Sequence, residues 1–205
     1  KENPHKRVDI YFCDLSKIEQ IDLLLKKLHK NYKKIDSIVN NAGISLSLDD
    51  NEQIESKLDK WNKTLQVNLT APYYLVEGIK DIIPDNSGSI INITSLNSTL
   101  AFPNNPSYMA SKGGMRQLTL SLSADLGKRN IRVNAIAPGY FKTNMTKASW
   151  DDLTKRKERS SRTILNRWGD SKELGGLVCF LASNLSAYIT GQEIYIDGGW
   201  SIKGL

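Results

Sequence analysis

Tyr108 and Lys112 stand four residues apart in Tyr108-Met109-Ala110-Ser111-Lys112, and Ser95 lies thirteen residues before the tyrosine. On a helix, a spacing of four places both side chains on one face. An ammonium held beside the phenol would favour phenolate and let the tyrosine move protons near neutral pH. Ser95 ends the strand-like run Ser89-Ile90-Ile91-Asn92-Ile93-Thr94. Its hydroxyl then falls at the carboxyl edge of a parallel sheet, where open α/β folds bind ligands. Thr94 is the neighbouring decoy, and an exposed Tyr–Lys pair on a helix surface is the bland alternative. Asn68, in Val67-Asn68-Leu69-Thr70, completes a set of groups able to relay a proton.

These residues must be positioned by a scaffold. Short β-branched runs at 8–13, 35–39, 89–94, 131–137 and 193–196 alternate with segments of helical period at 18–32, 60–83, 107–128 and 172–181. That alternation predicts an α/β fold, a parallel sheet covered by helices. At 205 residues, 40% hydrophobic and 24% charged, with no repeat or linker, the chain reads as one domain. Gly43, Gly88, Pro138-Gly139 and Gly198-Gly199 punctuate element ends. Residues 143–168 are too long for a plain connection and predict a lid or binding loop. Its basic residues include Arg156, Arg159 and Arg162; they read equally as a solvated face or as an attractor for an anionic substrate.

Composition excludes several classes. No apolar run approaches the roughly 20 residues of a membrane span, and Lys1–Arg7 lacks a signal-peptide core, so a cytoplasmic location is expected. The net charge of +6 is modest and interspersed, without the basic stripe of a nucleic-acid binder. Cys13 and Cys179 sit in apolar runs and read as buried thiols rather than a disulfide or metal pair; no metal site is expected. His5 and His29 read as surface residues.

The constellation resembles the active site of the short-chain dehydrogenase/reductase family, over about residues 8–200. The resemblance implies a Rossmann-type doubly wound parallel sheet from which the first β-α-β unit, with its glycine-rich phosphate loop, is missing. It further implies that 8–13 is the family's third strand and that Lys1 is not the natural start. By itself the 205-residue chain would then grip a pyrophosphate poorly. The implied roles are Ser95 on the substrate carbonyl, Tyr108 as general acid/base, Lys112 on the nicotinamide ribose and lowering the tyrosine pKa, and Asn68 holding a relay water. Asp14, with Leu15 beside it, matches the adenine position; Asn40-Asn41-Ala42-Gly43 matches the turn that approaches the ribose. Pro138-Gly139-Tyr140-Phe141-Lys142-Thr143 matches the loop meeting the carboxamide through Phe141 and Thr143. Asp197-Gly198-Gly199 matches the turn after the last strand.

The implied activity is NAD- or NADP-dependent interconversion of a carbonyl and a secondary alcohol, with a sugar or sugar acid as the expected substrate, by a homo-oligomer, tetramer or dimer. The alternatives are a 3-ketoacyl-carrier-protein reductase, or an inactive, truncated member of the fold. Pro84-Asp85-Asn86-Ser87-Gly88 lacks the basic cluster that would meet an acidic carrier.

Overall fold

The computed structural model describes residues 8–47 and 51–204. Its centre is a parallel sheet of β1 (Ser37–Asn40), β2 (Ser89–Ile93), β3 (Arg132–Pro138) and β4 (Glu193–Ile196), in that spatial order. Register pairs Asn40 with Asn92, Ile93 with Ile136, and Pro138 with Ile196, so all four strands end at one edge. Being covered on both faces, β2 and β3 are buried almost throughout, as strands of parallel sheets are.

One face of the sheet is covered by α3 (Ala71–Ile79) and α4 (Pro106–Gly127). There Val76, Leu122 and Leu126 meet Ile90, Ile131 and Val133. The opposite face is covered by α7 (Ser171–Ala182), whose Leu181 meets Ile91 and Ile136. The helix α1 (Ile18–Asn31) lies outside α3, its Leu25 seated on Gly78 where a Cβ would stand only 2.5 Å away. Tyr74 donates to Asp22 at 2.7 Å across the same contact.

The expected helix at 60–83 is broken in two. It begins earlier, as α2 (Ile54–Leu65), passes through a π turn at Gln66–Thr70, and resumes as α3. Pro72 explains the break: it has no N–H to give the carbonyl of Asn68, four residues back. The segment 143–168 contains two short helices, α5 (Lys147–Asp151) and α6 (Leu153–Ser161), the latter capped by Asp152, which accepts from Thr154 N and Lys155 N.

Residues 8–13 form no strand. A strand exists through backbone hydrogen bonds to a neighbouring strand, and among the described residues no strand pairs with this segment; Val8, Ile10 and Phe12 are 77, 76 and 96% exposed. The cysteines also differ from expectation: Cys13 is half-buried and Cys179 exposed, because α7 turns only its Leu181 side fully inward. His29 is exposed, with Nε2 2.8 Å from the Gly78 carbonyl; His5 lies outside the described residues.

Candidate active site

The carboxyl edge of the sheet assembles the predicted residues from three elements. Ser95 is the first residue past β2, and Thr94 is set apart from it by orientation. The Thr94 hydroxyl is buried and donates to the Ile136 carbonyl at 3.0 Å, whereas Ser95 Oγ donates to Asn97 Oδ1 and accepts from Asn97 N beyond the sheet. Ser98 fixes this turn, its hydroxyl lying 2.7 Å from the Ser95 carbonyl and 2.8 Å from Glu193 of β4, two acceptors for its one proton.

Tyr108 and Lys112 ride on α4, whose start is well defined. Asn105 caps it, accepting from Tyr108 N, and Pro106 occupies the first turn. The same Asn105 donates to Ser45 Oγ at 2.6 Å, tying α4 to the loop after Gly43. Deeper along the helix Asn40 donates to Asn92 and Asn92 to Thr119 (2.8 and 2.9 Å), a buried chain fixing α4 on β1 and β2. Asn40 read in sequence only as the first residue of a turn; its amide is structural.

Lys112 is 4% exposed, which removes the surface-pair reading. Its Nζ donates to the Ile93 carbonyl at 2.7 Å and lies 5.6 Å from the Tyr108 ring centroid. Burial pushes the lysine down to about 8. Burial likewise raises the Tyr108 phenol above its ordinary value; the Ser95 hydrogen bond opposes this and Tyr140 adds to it. The expected phenolate therefore does not arise from the ammonium alone: lysine points at a carbonyl, and loss of water outweighs its charge.

Asn68 sits in the π turn, 1% exposed. Its Oδ1 accepts from Ile44 N and its Nδ2 donates to Ile44 O, each at 2.8 Å, and Nδ2 also donates to Ser111 Oγ at 3.0 Å. Ser111 in turn donates to the Tyr108 carbonyl at 2.7 Å. Ser111 was not singled out in the sequence, yet it joins the π turn to the helix carrying the tyrosine. Gly43 lies directly over this group: a Cβ there would stand 3.4 Å from Asn68 Oδ1 and 3.6 Å from Lys112 Nζ. Asn41 and Ala42 beside it are exposed.

The remaining predicted residues divide. Pro138 closes β3, and Gly139 N donates to the Ile196 carbonyl. A Cβ on Gly139 would meet the Asp197 backbone at 2.8 Å, so only glycine allows this approach. Asp197 accepts from Gly199 N and Ser201 N, shaping the turn at Gly198 (φ 64°) and Gly199 (φ 83°). Phe141 is buried against Gly169, its carbonyl accepting from Thr146, and Thr143 is exposed beside it. Asp14 is apart from these groups: its exposed carboxylate accepts from Ser16 N and Oγ, hydrogen bonds that hold it below the usual range, while the Leu15 carbonyl receives Gln66 Nε2. Among the described residues no cluster of His, Cys, Asp and Glu could hold a metal.

An aromatic wall that the sequence did not disclose closes the far side. Tyr140 lies 5.1 Å from Trp168 and 5.2 Å from Trp200, Trp200 is 6.2 Å from Phe102, and Trp150 is 5.3 Å from Trp168, ring centre to ring centre. Phe102 returns the wall to α4, its N–H reaching Met109 Sδ beside the tyrosine.

Residues 2–201 match the family model described as Enoyl-(Acyl carrier protein) reductase. The chain is 38% identical over 181 residues to the 5-keto-D-gluconate 5-reductase of Escherichia coli K12, covering 88% of this chain and 70% of that protein. It is 36% identical over 194 residues to the 3-oxoacyl-[acyl-carrier-protein] reductase of Thermotoga maritima, covering 94% of this chain and 77% of that one. The structure of a gluconate 5-dehydrogenase from Burkholderia cenocepacia, in complex with NADP and tartrate, superposes with a TM-score of 0.83 at 33% identity, over 93% of this chain and 74% of that chain. The parallel sheet with flanking helices is thus shared with proteins of one kind, and the chain belongs to the short-chain dehydrogenase/reductase family of NAD(P)-dependent oxidoreductases.

Proposed function

We propose that Ser95, Tyr108, Lys112 and Asn68 interconvert a ketone and a secondary alcohol on a sugar-acid substrate. One observation carries this reading: a serine hydroxyl, a protonated phenol and a buried ammonium converge at one sheet edge under Gly43. In the reducing direction Ser95 Oγ turns from Asn97 to donate to the substrate carbonyl oxygen, and Tyr108 gives that oxygen its proton as negative charge develops there. The raised phenol pKa suits this, since the donor remains protonated at neutral pH. Lys112 holds positive charge beside the phenol as the proton leaves. Asn68 keeps the Gly43–Ile44 loop and α4 in fixed relation, and by resemblance anchors a water that returns the proton.

The bare Gly43 surface over Asn68 Oδ1 and Lys112 Nζ fits the ribose end of a nicotinamide dinucleotide. Asn41, Ala42, Gly43, Lys112, Pro138, Gly139, Phe141 and Thr143 would hold that end, with Asp14 and Leu15 toward the adenine. When bound, the cofactor supplies or takes the hydride.

The sugar-acid assignment draws support from the gluconate-type relatives. The carrier-protein reductase is the second reading, favoured by 36% identity to such an enzyme. Residues 143–168 act as the substrate lid, leaving directly from the Gly139 loop. Two thiols without a disulfide, one exposed, accord with a cytoplasmic protein, and no helix among the described residues is long and apolar enough to cross a membrane.

The test is Tyr108→Phe, which removes one hydroxyl. Turnover of 5-keto-D-gluconate by the full-length protein should fall at least 100-fold, on the order of a lost general acid, with the melting temperature nearly kept. Retention of a tenth of the activity would remove Tyr108 as proton donor, and faster turnover of an acetoacetyl thioester than of the keto acid would favour the second reading.

A further inference from the structure

Helix α6 brings Arg159 to the aromatic wall, its guanidinium carbon 4.9 Å above the Tyr140 ring. Its Nε is buried without a hydrogen-bond partner, and among the described residues no carboxylate pairs with it. A buried cationic N–H without an acceptor is costly, and native proteins seldom leave one unless a ligand completes it.

The neighbouring arginines are occupied. Arg162 lies 3.6 Å from Glu158 and over Trp200 at 5.7 Å; Arg167 holds both oxygens of Glu173 at 2.9 and 2.6 Å; Arg156 lies over Trp150 at 5.0 Å. Arg159 alone of the four combines a place on Tyr140 with an unsatisfied donor. Tyr140 follows Gly139 at the end of β3, and Trp200 and Phe102 continue its wall back to Met109, next to Tyr108. A ligand reaching from Tyr108 along this wall would meet a proton donor at one end and a guanidinium at the other.

We infer that Arg159 binds the carboxylate of the substrate and is the residue that selects sugar acids over neutral ketoses. This deepens the sugar-acid reading and rests on it. The carboxylate would supply the acceptor that Nε lacks, in the planar geometry at which guanidinium excels. Stacking on Tyr140 orients the fork before substrate arrives, so the effect belongs in KM more than in kcat.

The experiment compares full-length wild type, Arg159→Gln, Arg159→Lys and Arg162→Gln on 5-keto-D-gluconate and on L-sorbose, in which a hydroxymethyl group replaces the carboxylate. Tryptophan fluorescence on titration with D-gluconate gives binding independently of turnover, and thermal unfolding checks the fold. Wild type should prefer the acid. Arg159→Gln should raise KM for the acid and weaken gluconate binding about 10- to 100-fold, as loss of a charged hydrogen bond does, with L-sorbose unchanged. Arg159→Lys should recover part of the loss, and Arg162→Gln should change neither by more than about threefold. A wild type without preference for the acid defeats the sugar-acid reading itself. A preference that survives in a folded Arg159→Gln protein overturns only the assignment to Arg159.

Discussion

Lys112 shows how one buried side chain sets both chemistry and stability. Burial lowers it from 10.5 to about 8, so the unfolded chain binds more protons than the folded one between those values, and stability must rise with pH across that window. The cost of burying the ammonium is fully present below pH 8. Tyr108 acts oppositely: its raised pKa makes the folded state hold a proton that the unfolded state loses above about pH 10, so stability falls there. The stability difference between wild type and Lys112→Met should therefore move in favour of wild type by roughly 2 kcal/mol from pH 8 to 10, the tyrosine being common to both. Denaturant unfolding at several pH values reads this directly, and a flat difference would show that the lysine is not desolvated. Ser111 and Asn105 belong at this scale too, because one hydrogen bond of each ties α4 to a neighbour, Ser111 to the π turn and Asn105 to the loop after Gly43.

At the scale of elements, the site depends on contacts that permit no bulk. The turn after β3 approaches the turn after β4 until Gly139 touches the Asp197 backbone. Gly139→Ala must push backbone against backbone, and should cost roughly 1–3 kcal/mol, as overpacking does. The displaced loop carries Tyr140 and Phe141, so KM for both cofactor and substrate should rise as the melting temperature drops. An alanine variant with unaltered kinetics would show that the loop's position is unimportant. The segment 143–168 is held at its far end by the capping box of α7, where Glu173 accepts from Asp170 N and from Arg167. The Arg167 hydrogen bond holds the Glu173 carboxyl down at about 2, so this clamp is present above the ordinary carboxyl range and loosens only as pH falls toward 2.

At the scale of the whole molecule, the sheet leaves apolar side chains outside. Leu58 of α2, Tyr73 of α3 and Leu120 of α4 are 52, 46 and 38% exposed, on the helices that resemblance places at twofold contacts. A homo-oligomer, tetramer or dimer, would cover them and brace α4 from behind. Light scattering of the full-length protein should show the larger mass, and Leu120→Asp should shift it toward monomer while lowering activity. A fully active monomer at micromolar concentration would separate assembly from catalysis.

The sequence by itself determined the α/β class and the positions of the four sheet strands and of α1, α4 and α7 to within a few residues, because periodicity and turn chemistry are local. Ser95, Tyr108 and Lys112 were legible since their spacing joins a strand end to a helix face. Only tertiary structure decided that 8–13 joins no strand among the described residues, because a strand is a relation between segments. It also decided which hydroxyl of Thr94 and Ser95 faces the site, and which way the two pKa values move, since burial depends on neighbours distant in sequence. Arg159 stands among six basic residues between Lys155 and Arg167. Nothing in that run distinguishes it; its place on Tyr140 with an unmet N–H, set by the meeting of α6 with the end of β3, does.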